Sequence, residues 1–142
     1  MKIQITATVS SNGYLLPSNT VKGCWPFRRK NTLSSLQKEA DILLHKYDSL
    51  LFLLSEKQNQ SDTTYLAEAT PETIGLIKGL LLYHLADELI LYILSAEAGK
   101  GIAISDIVDM REWEAKTEHS LSQHTICRIY QYQMNVNPPY TM

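Results

Sequence analysis

What this sequence of 142 residues lacks first is any excess of charge: 13 Lys and Arg stand against 15 Asp and Glu, a net charge of −2. With a pI near 6.1 there is no electrostatic reason to expect nucleic acid or an acidic membrane surface as partner. The basic cluster Arg28-Arg29-Lys30 is short and sits among loop-like residues, which fits a solvated loop better than an anion site. Cysteine is scarce as well. Cys24 and Cys127 share no motif spacing, so neither a zinc site nor a disulfide framework is indicated, and two free thiols suit a reducing cytoplasm. Long apolar runs are missing too. The most apolar stretch, residues 74–94, contains Lys78, His84, Asp87 and Glu88 and is no membrane span. Met1-Lys2 leads into alternating residues and not into the apolar stretch of a signal peptide. The expectation is one soluble, cytoplasmic domain with a continuous core.

Against those absences, periodicity is plain. Ile3, Ile5, Ala7 and Val9 alternate with Gln4, Thr6 and Thr8, which predicts a strand over residues 2–10. Ser11-Asn12-Gly13 supplies turn chemistry after it. Residues 14–30 carry Pro17, Gly23 and Pro26 and read as a loop anchored by Trp25 and Phe27. From Asn31 the spacing turns helical, and periodicity alone would carry one helix to Leu54. Residues 63–67 are a short β-branched and aromatic strand. Thr70-Pro71-Glu72 then predicts a helix start, with Thr70 as N-cap and Pro71 at the first helical position. Gly75 and Gly79, four apart on that helix, predict close approach of a neighbour. Leu89–Leu94 is apolar on both faces, as a covered central strand should be. Residues 102–104 suggest another short strand. Residues 113–118 and 125–134 predict a closing hairpin turned by residues 120–123, and Pro138-Pro139 marks a frayed end. Strands interleaved with helices and ending in a hairpin make this α/β, with a mixed, largely parallel sheet.

Four segments resemble the dihydrofolate-reductase-like fold, most closely the reductase domain of the riboflavin-biosynthesis deaminase-reductases. Ser10-Ser11-Asn12-Gly13-Tyr14-Leu15 resembles that domain's Ser-Leu-Asp-Gly-Tyr-Ile. Ala40–Leu44 resembles the strand before its Gly-Arg-x-Thr turn. Tyr65-Leu66-Ala67-Glu68 followed by Pro71 resembles the strand leading into Glu-Gly-Gly-Pro. Leu85–Gly101, with Asp87-Glu88 and Gly99-Lys100-Gly101, resembles its Leu-Val-Asp-Glu-Leu segment, next strand and Gly-rich turn. The resemblance breaks the helix begun at Asn31, placing a strand near residues 42–44 and a helix over residues 47–56. It implies a substrate side formed by Ser11, Asn12, Gly13, Trp25 and Glu68. It implies a cofactor side, for NADPH, formed by Lys46, Ala69, Thr70, Gly99 and Gly101. A pterin-like or pyrimidine-like heterocycle is the implied substrate class.

Departures fall where the nicotinamide cofactor would sit. Gly-Gly, whose bare backbone lets a pyrophosphate approach helix amides, is replaced by Ala69-Thr70, and Glu72 adds a negative charge beside them. His45-Lys46-Tyr47-Asp48 matches the Gly-Arg-x-Thr turn only in its cation. The stretch between His45 and Glu68 is too short for a βαβ unit beside the helix already assigned there.

Each candidate also has a plain architectural reading. Asn12-Gly13 fits a turn after a strand as well as a ligand site at a strand's carboxyl end. Glu68 fits a carboxylate facing a ring, or an acid complementing a helix dipole. Asp87-Glu88 is better explained as a solvated helix-to-strand corner than as a catalytic pair, and Gly99-Lys100-Gly101 as a tight turn. His45, His84, His119 and His124 show no ligand spacing, and a metal site built from His119, His124 and Cys127 has little support. Two functions follow. One is a shortened, non-catalytic assembly or small-ligand module, expected to form a homodimer through an exposed strand or helix face. The other is an NADPH-dependent reductase of a pterin-like or ribosylaminopyrimidine substrate.

Overall fold

Alternation along residues 2–9 produces β1 (Lys2–Val9), the strand against which the other parallel strands are registered. The computed structural model describes residues 1–16, 41–97 and 101–133. Within them lie β2 (Ile42–Leu43), α1 (Leu50–Gln58), β3 (Thr64–Ala69), α2 (Ile74–Leu82), β4 (Glu88–Leu94), β5 (Trp113–Ser122) and β6 (Thr125–Tyr132). One six-stranded sheet holds them in the order β2-β3-β1-β4-β6-β5. The first four run parallel, β6 runs antiparallel to β4, and β5-β6 is the C-terminal hairpin. The expected mixed, largely parallel sheet with flanking helices and a closing hairpin is therefore the fold.

Both helices cover the same face. β2-α1-β3 and β3-α2-β4 advance across the sheet in one direction, and crossovers of one hand then place both helices on one side. Leu53 of α1 and Leu76, Ile77 and Leu80 of α2 pack with Ile3, Ile5 and Ala7 of β1, Tyr65 and Ala67 of β3, and Leu89 and Leu91 of β4. On the other face Ile90, Tyr92, Leu94 and Cys127 form a smaller cluster with Leu16, Leu121 and Ile129 against it. Alternation in β1 describes a half-buried strand, yet Gln4, Thr6 and Thr8 are 6%, 2% and 6% exposed. A central position buries both faces, so the polar side chains are inside as well.

The break in the helical pattern near residue 42 is real, and only α1 lies between β2 and β3. α1 starts three residues later than expected because residues 45–48 close a turn of their own. The amide of His45 donates to Asp48 Oδ2 at 2.7 Å, and that of Asp48 to the His45 carbonyl at 3.0 Å. Ser49 then caps the helix, its hydroxyl accepting from the Phe52 amide. The second helix is corrected in the same way: Thr70-Pro71-Glu72-Thr73 is a turn, and Thr73, not Thr70, stands at the N-cap of α2. Gly79 does allow close approach, since a Cβ there would lie 2.4 Å from Leu50 Cδ1, whereas one on Gly75 meets nothing within 4 Å. Residues 102–104 form no strand. Tyr14 and Ala103 make an isolated bridge, and 3-10 turns follow at Ile104–Asp106 and Met110–Glu112. The loop anchored by Trp25 and Phe27, the helix begun at Asn31 and the Pro138-Pro139 end lie outside the described residues. No helix among the described residues is long and apolar enough to cross a membrane.

The corner at Asp87-Glu88 is architectural, as its composition implies. Asp87 Oδ2 accepts from the Ile3 amide at 2.8 Å, and the Asp87 amide returns a 2.8 Å bond to the Ile3 carbonyl. Glu88 accepts from Gln4 Nε2 and pairs with Lys2. Replacing Asp87 by Ala strands the Ile3 amide, at a cost of about 1–3 kcal/mol. Asp87→Asn keeps an acceptor and should lose less than half of that, the difference being read from urea unfolding of the two variants.

Candidate functional site

Parallel strands present their carboxyl ends together, and in open α/β sheets ligands bind beyond those ends. Here β1 gives way to residues 10–15, β3 to residues 70–73, β4 to residues 95–97 and β2 to residues 44–48. Gly13 takes φ +88°, a conformation that a Cβ makes costly, and this lets residues 10–14 close on Ser10. The Gly13 amide donates to the Ser10 carbonyl, the Ser10 amide to the Tyr14 carbonyl, and the Tyr14 amide to Ser10 Oγ. Ser10 Oγ also donates to Asn12 Oδ1 at 2.5 Å. The chain after β4 clasps this loop: the Ser11 amide donates to the Ala96 carbonyl, and the Ile104 amide to the Gly13 carbonyl, both at 2.8 Å. Gly101, at φ +131°, lies in that clasp. Ser11, Asn12, Gly13 and Gly101 thus belong to one end of the sheet. Trp25 and Gly99 lie outside the described residues.

Glu68 is half-buried in β3, level with Thr6 of β1 on the face that also carries Gln4 and Thr8. Gln4 Oε1 is buried there without a hydrogen-bond partner among the described residues, although its Nε2 is bound to Glu88. The same face carries the apolar Ile90 and Tyr92, so Gln4, Thr6, Thr8 and Glu68 are polar groups set beside an apolar cluster. Ala69 points the other way. It is 2% exposed and belongs to the core under the helices. Lys46 is exposed at the end of β2, its Nζ 5.1 Å from the centre of the Tyr47 ring.

Sequence reasoning missed Thr73. Its hydroxyl accepts from the Thr70 amide at 2.8 Å and donates to the Glu68 carbonyl at 2.7 Å, while its amide donates to the Thr70 carbonyl at 3.1 Å. One side chain therefore seals the turn where the resemblance places a phosphate-binding backbone. It does not cap the first turn of α2, which starts only at Ile74. The signal was the spacing Thr-x-x-Thr around Pro71, which favours side-chain-to-backbone turns as much as a helix cap.

Among the described residues Cys127 is the cysteine near this end of the sheet. Burial pushes the Cys127 thiol up to about 11, a hydrogen bond with Tyr92 opposing the shift. His124 Nδ1 lies 3.2 Å from Ser95 Oγ, and His119 is level with Cys127 across the hairpin. Among the described residues no group of three His, Cys, Asp or Glu side chains could hold a metal ion.

No protein-family model matches the chain, and no curated protein matches its sequence. Solved structures do match in fold. A protein assigned to riboflavin biosynthesis from Shewanella sp. PV-4 superposes with a TM-score of 0.57 at 12% identity, over 93% of this chain and 99% of that one. Dihydrofolate reductase from Enterococcus faecalis, complexed with NADP(H), gives 0.53 at 12% identity, over 92% and 96%. The riboflavin biosynthesis reductase Rib7 of Saccharomyces cerevisiae gives 0.52 at 10% identity, over 92% and 88%. At such identities the likeness establishes the dihydrofolate-reductase-like fold.

Two side chains at this end of the molecule are open to test. Thr73→Ala opens the 70–73 turn and should lower stability by about 1 kcal/mol, with Thr73→Ser restoring most of it in chemical unfolding. In a Cys24→Ser background, Cys127 should resist a disulfide reagent at pH 8 until the chain is unfolded. A raised thiol keeps its proton in the fold after the unfolded chain has released it. Its contribution is thus constant below pH 9 and falls as pH rises towards 11, a slope that Cys127→Ser should flatten.

Proposed function

We propose that this chain keeps the reductase frame without its hydride chemistry and works in the cytoplasm as a non-catalytic assembly or small-ligand module. The observation that carries this reading is the Thr70–Thr73 turn. A pyrophosphate needs bare backbone and free amides at a helix start. Here the Thr70 amide is taken by Thr73 Oγ1, the helix begins only at Ile74, and Glu72 stands exposed in the turn. The presence of α1 alone between β2 and β3 supports the same reading, because no further βαβ unit is there to hold the adenosine half of NADPH.

The assembly half rests on β5. Seven successive residues, Glu114 to Ser120, are exposed along an edge strand whose outer backbone groups have no neighbouring strand among the described residues. A second copy paired antiparallel about Thr117 sets Lys116 opposite Glu118 of its partner, and Glu118 opposite Lys116, as a two-fold interface requires. The small-ligand half rests on Glu68 and the polar side chains of β1 beside it, and on the Ser11–Gly13 loop, which suit a heterocycle rich in hydrogen-bonding edges.

The second reading, an NADPH-dependent reductase of a pterin-like or ribosylaminopyrimidine substrate, is favoured by the clasp of residues 10–15 by Ala96, Ile102 and Ile104. Titrating NADPH into the protein separates the two. Nicotinamide fluorescence and the melting temperature should show no saturable change up to millimolar NADPH. Saturable binding overturns the non-catalytic reading in favour of the reductase. Light scattering tests assembly: a dimer is expected, and a monomer at all concentrations removes that half of the proposal.

A further inference from the structure

A concavity lies at the opposite end of the sheet from Asn12 and Thr70. It encloses about 370 Å³ between the end of α2, residues 106–112 and the outer strands, where β4 begins and β6 ends. Ligand sites in proteins start at about 300 Å³, so it has room for a molecule of one or two rings.

Its wall is aromatic. Trp113 is 6% exposed and meets Tyr132 edge to face, with ring centres 5.4 Å apart. Tyr132 in turn lies 5.5 Å from the His84 ring, and its hydroxyl is 3.1 Å from His84 Nδ1. His84 reaches this place through its backbone. It ends α2 at φ 54°, with its amide bonded to the Leu81 carbonyl and that of Leu85 to the Leu80 carbonyl. Glycine is the usual occupant of that left-handed position, yet here an imidazole is held against the cavity. The charges are asymmetric. Asp109 is closed by a bidentate pair with Arg111, at 2.9 Å on each side. Asp106 and Glu112 also line the cavity, and neither joins an ion pair among the described residues. Lys78 is the cation on the facing wall, leaving the carboxylates in excess.

We propose that this cavity binds a planar aromatic cation, its ring against the Trp113–Tyr132 pair and its amino or amidinium group at Asp106 and Glu112. A ring buries apolar area against Trp113, and a cation near these aromatic faces is further stabilised by their quadrupoles. Charge-assisted hydrogen bonds to carboxylates fix its orientation. The site shares no residue with the carboxyl-end loops, so it stands apart from the question of NADPH.

Three ring compounds of one size and different charge test it: benzamidine, benzamide and benzoate, each titrated into the full chain. The indole N–H resonance of Trp113 is the readout, identified by its persistence in Trp25→Phe. Benzamidine should shift it saturably in the millimolar range, and benzamide should bind at least roughly fivefold more weakly, about 1 kcal/mol. Benzoate should not saturate. The double variant Asp106→Asn, Glu112→Gln should weaken benzamidine by about tenfold while leaving the melting temperature near that of the parent, since both side chains are exposed or at the surface of their 3-10 turns. No saturable shift, equal binding of benzoate, or an unaffected double variant overturns the proposal.

Discussion

Enclosure of β1 is the constraint on which the rest of this structure depends. Its neighbours on both edges are parallel strands, with Ala7 level with Ala69 on one side and Leu91 on the other. A parallel neighbour cannot be reached by a tight turn, so each pairing needs a crossover, and α2 passes over β1 to join β3 to β4. A slip of one residue would turn Ile3, Ile5 and Ala7 out of the helical face and put Gln4 and Thr6 into it. The paired bonds between Ile3 and Asp87 hold against that slip at the strand's beginning, and the Ser10–Tyr14 loop holds at its end. The position of every residue at the carboxyl end follows from this one register.

The elements read correctly from the sequence are those whose apolar residues follow a plain pattern. Residues 2–9 alternate, residues 89–94 are apolar throughout, and the hairpin combines alternation with a turn. These patterns state which surfaces leave water, and water's exclusion decides the fold. What could not be read was settled by competition between local hydrogen bonds of similar strength. Thr70-Pro71-Glu72 is a sound helix start, but Thr73 offers its hydroxyl to the Thr70 amide and the strand end wins the residue. The same happened at Asp48, whose carboxylate closes on the His45 amide before Ser49 can begin α1. Such bonds are each worth about 1 kcal/mol, too close for pattern to decide.

Burial of the polar side of β1 was hidden for another reason. Gln4, Thr6 and Thr8 look solvated when the strand is read alone, and only its place in the middle of the sheet puts them inside. The aromatic cavity was hidden because its walls come from three separated segments: the end of α2, residues 106–113 and Tyr132. No spacing within one element links His84 to Trp113. That Ser11, Asn12, Gly13, Glu68 and Gly101 fall towards one end of the sheet was legible because strand ends are legible, and a parallel sheet gathers its strand ends.

On the proposed reading, frame and chemistry separate at Ala69-Thr70. A backbone that admits a phosphate must leave out side chains, and the glycines that do so lose more conformational entropy on folding than any other residue. Replacing glycine where the backbone tolerates a side chain stabilises a fold by about 0.4–1 kcal/mol per position, acting through the unfolded chain. Ala69 goes further, since its methyl group is buried in the core. On the proposed reading these substitutions carry no functional penalty, and they favour the same frame that the reductases use. A dihydrofolate-reductase-like fold at 12% identity or less is then what the physics predicts: the register of β1 is kept by burial along whole strands.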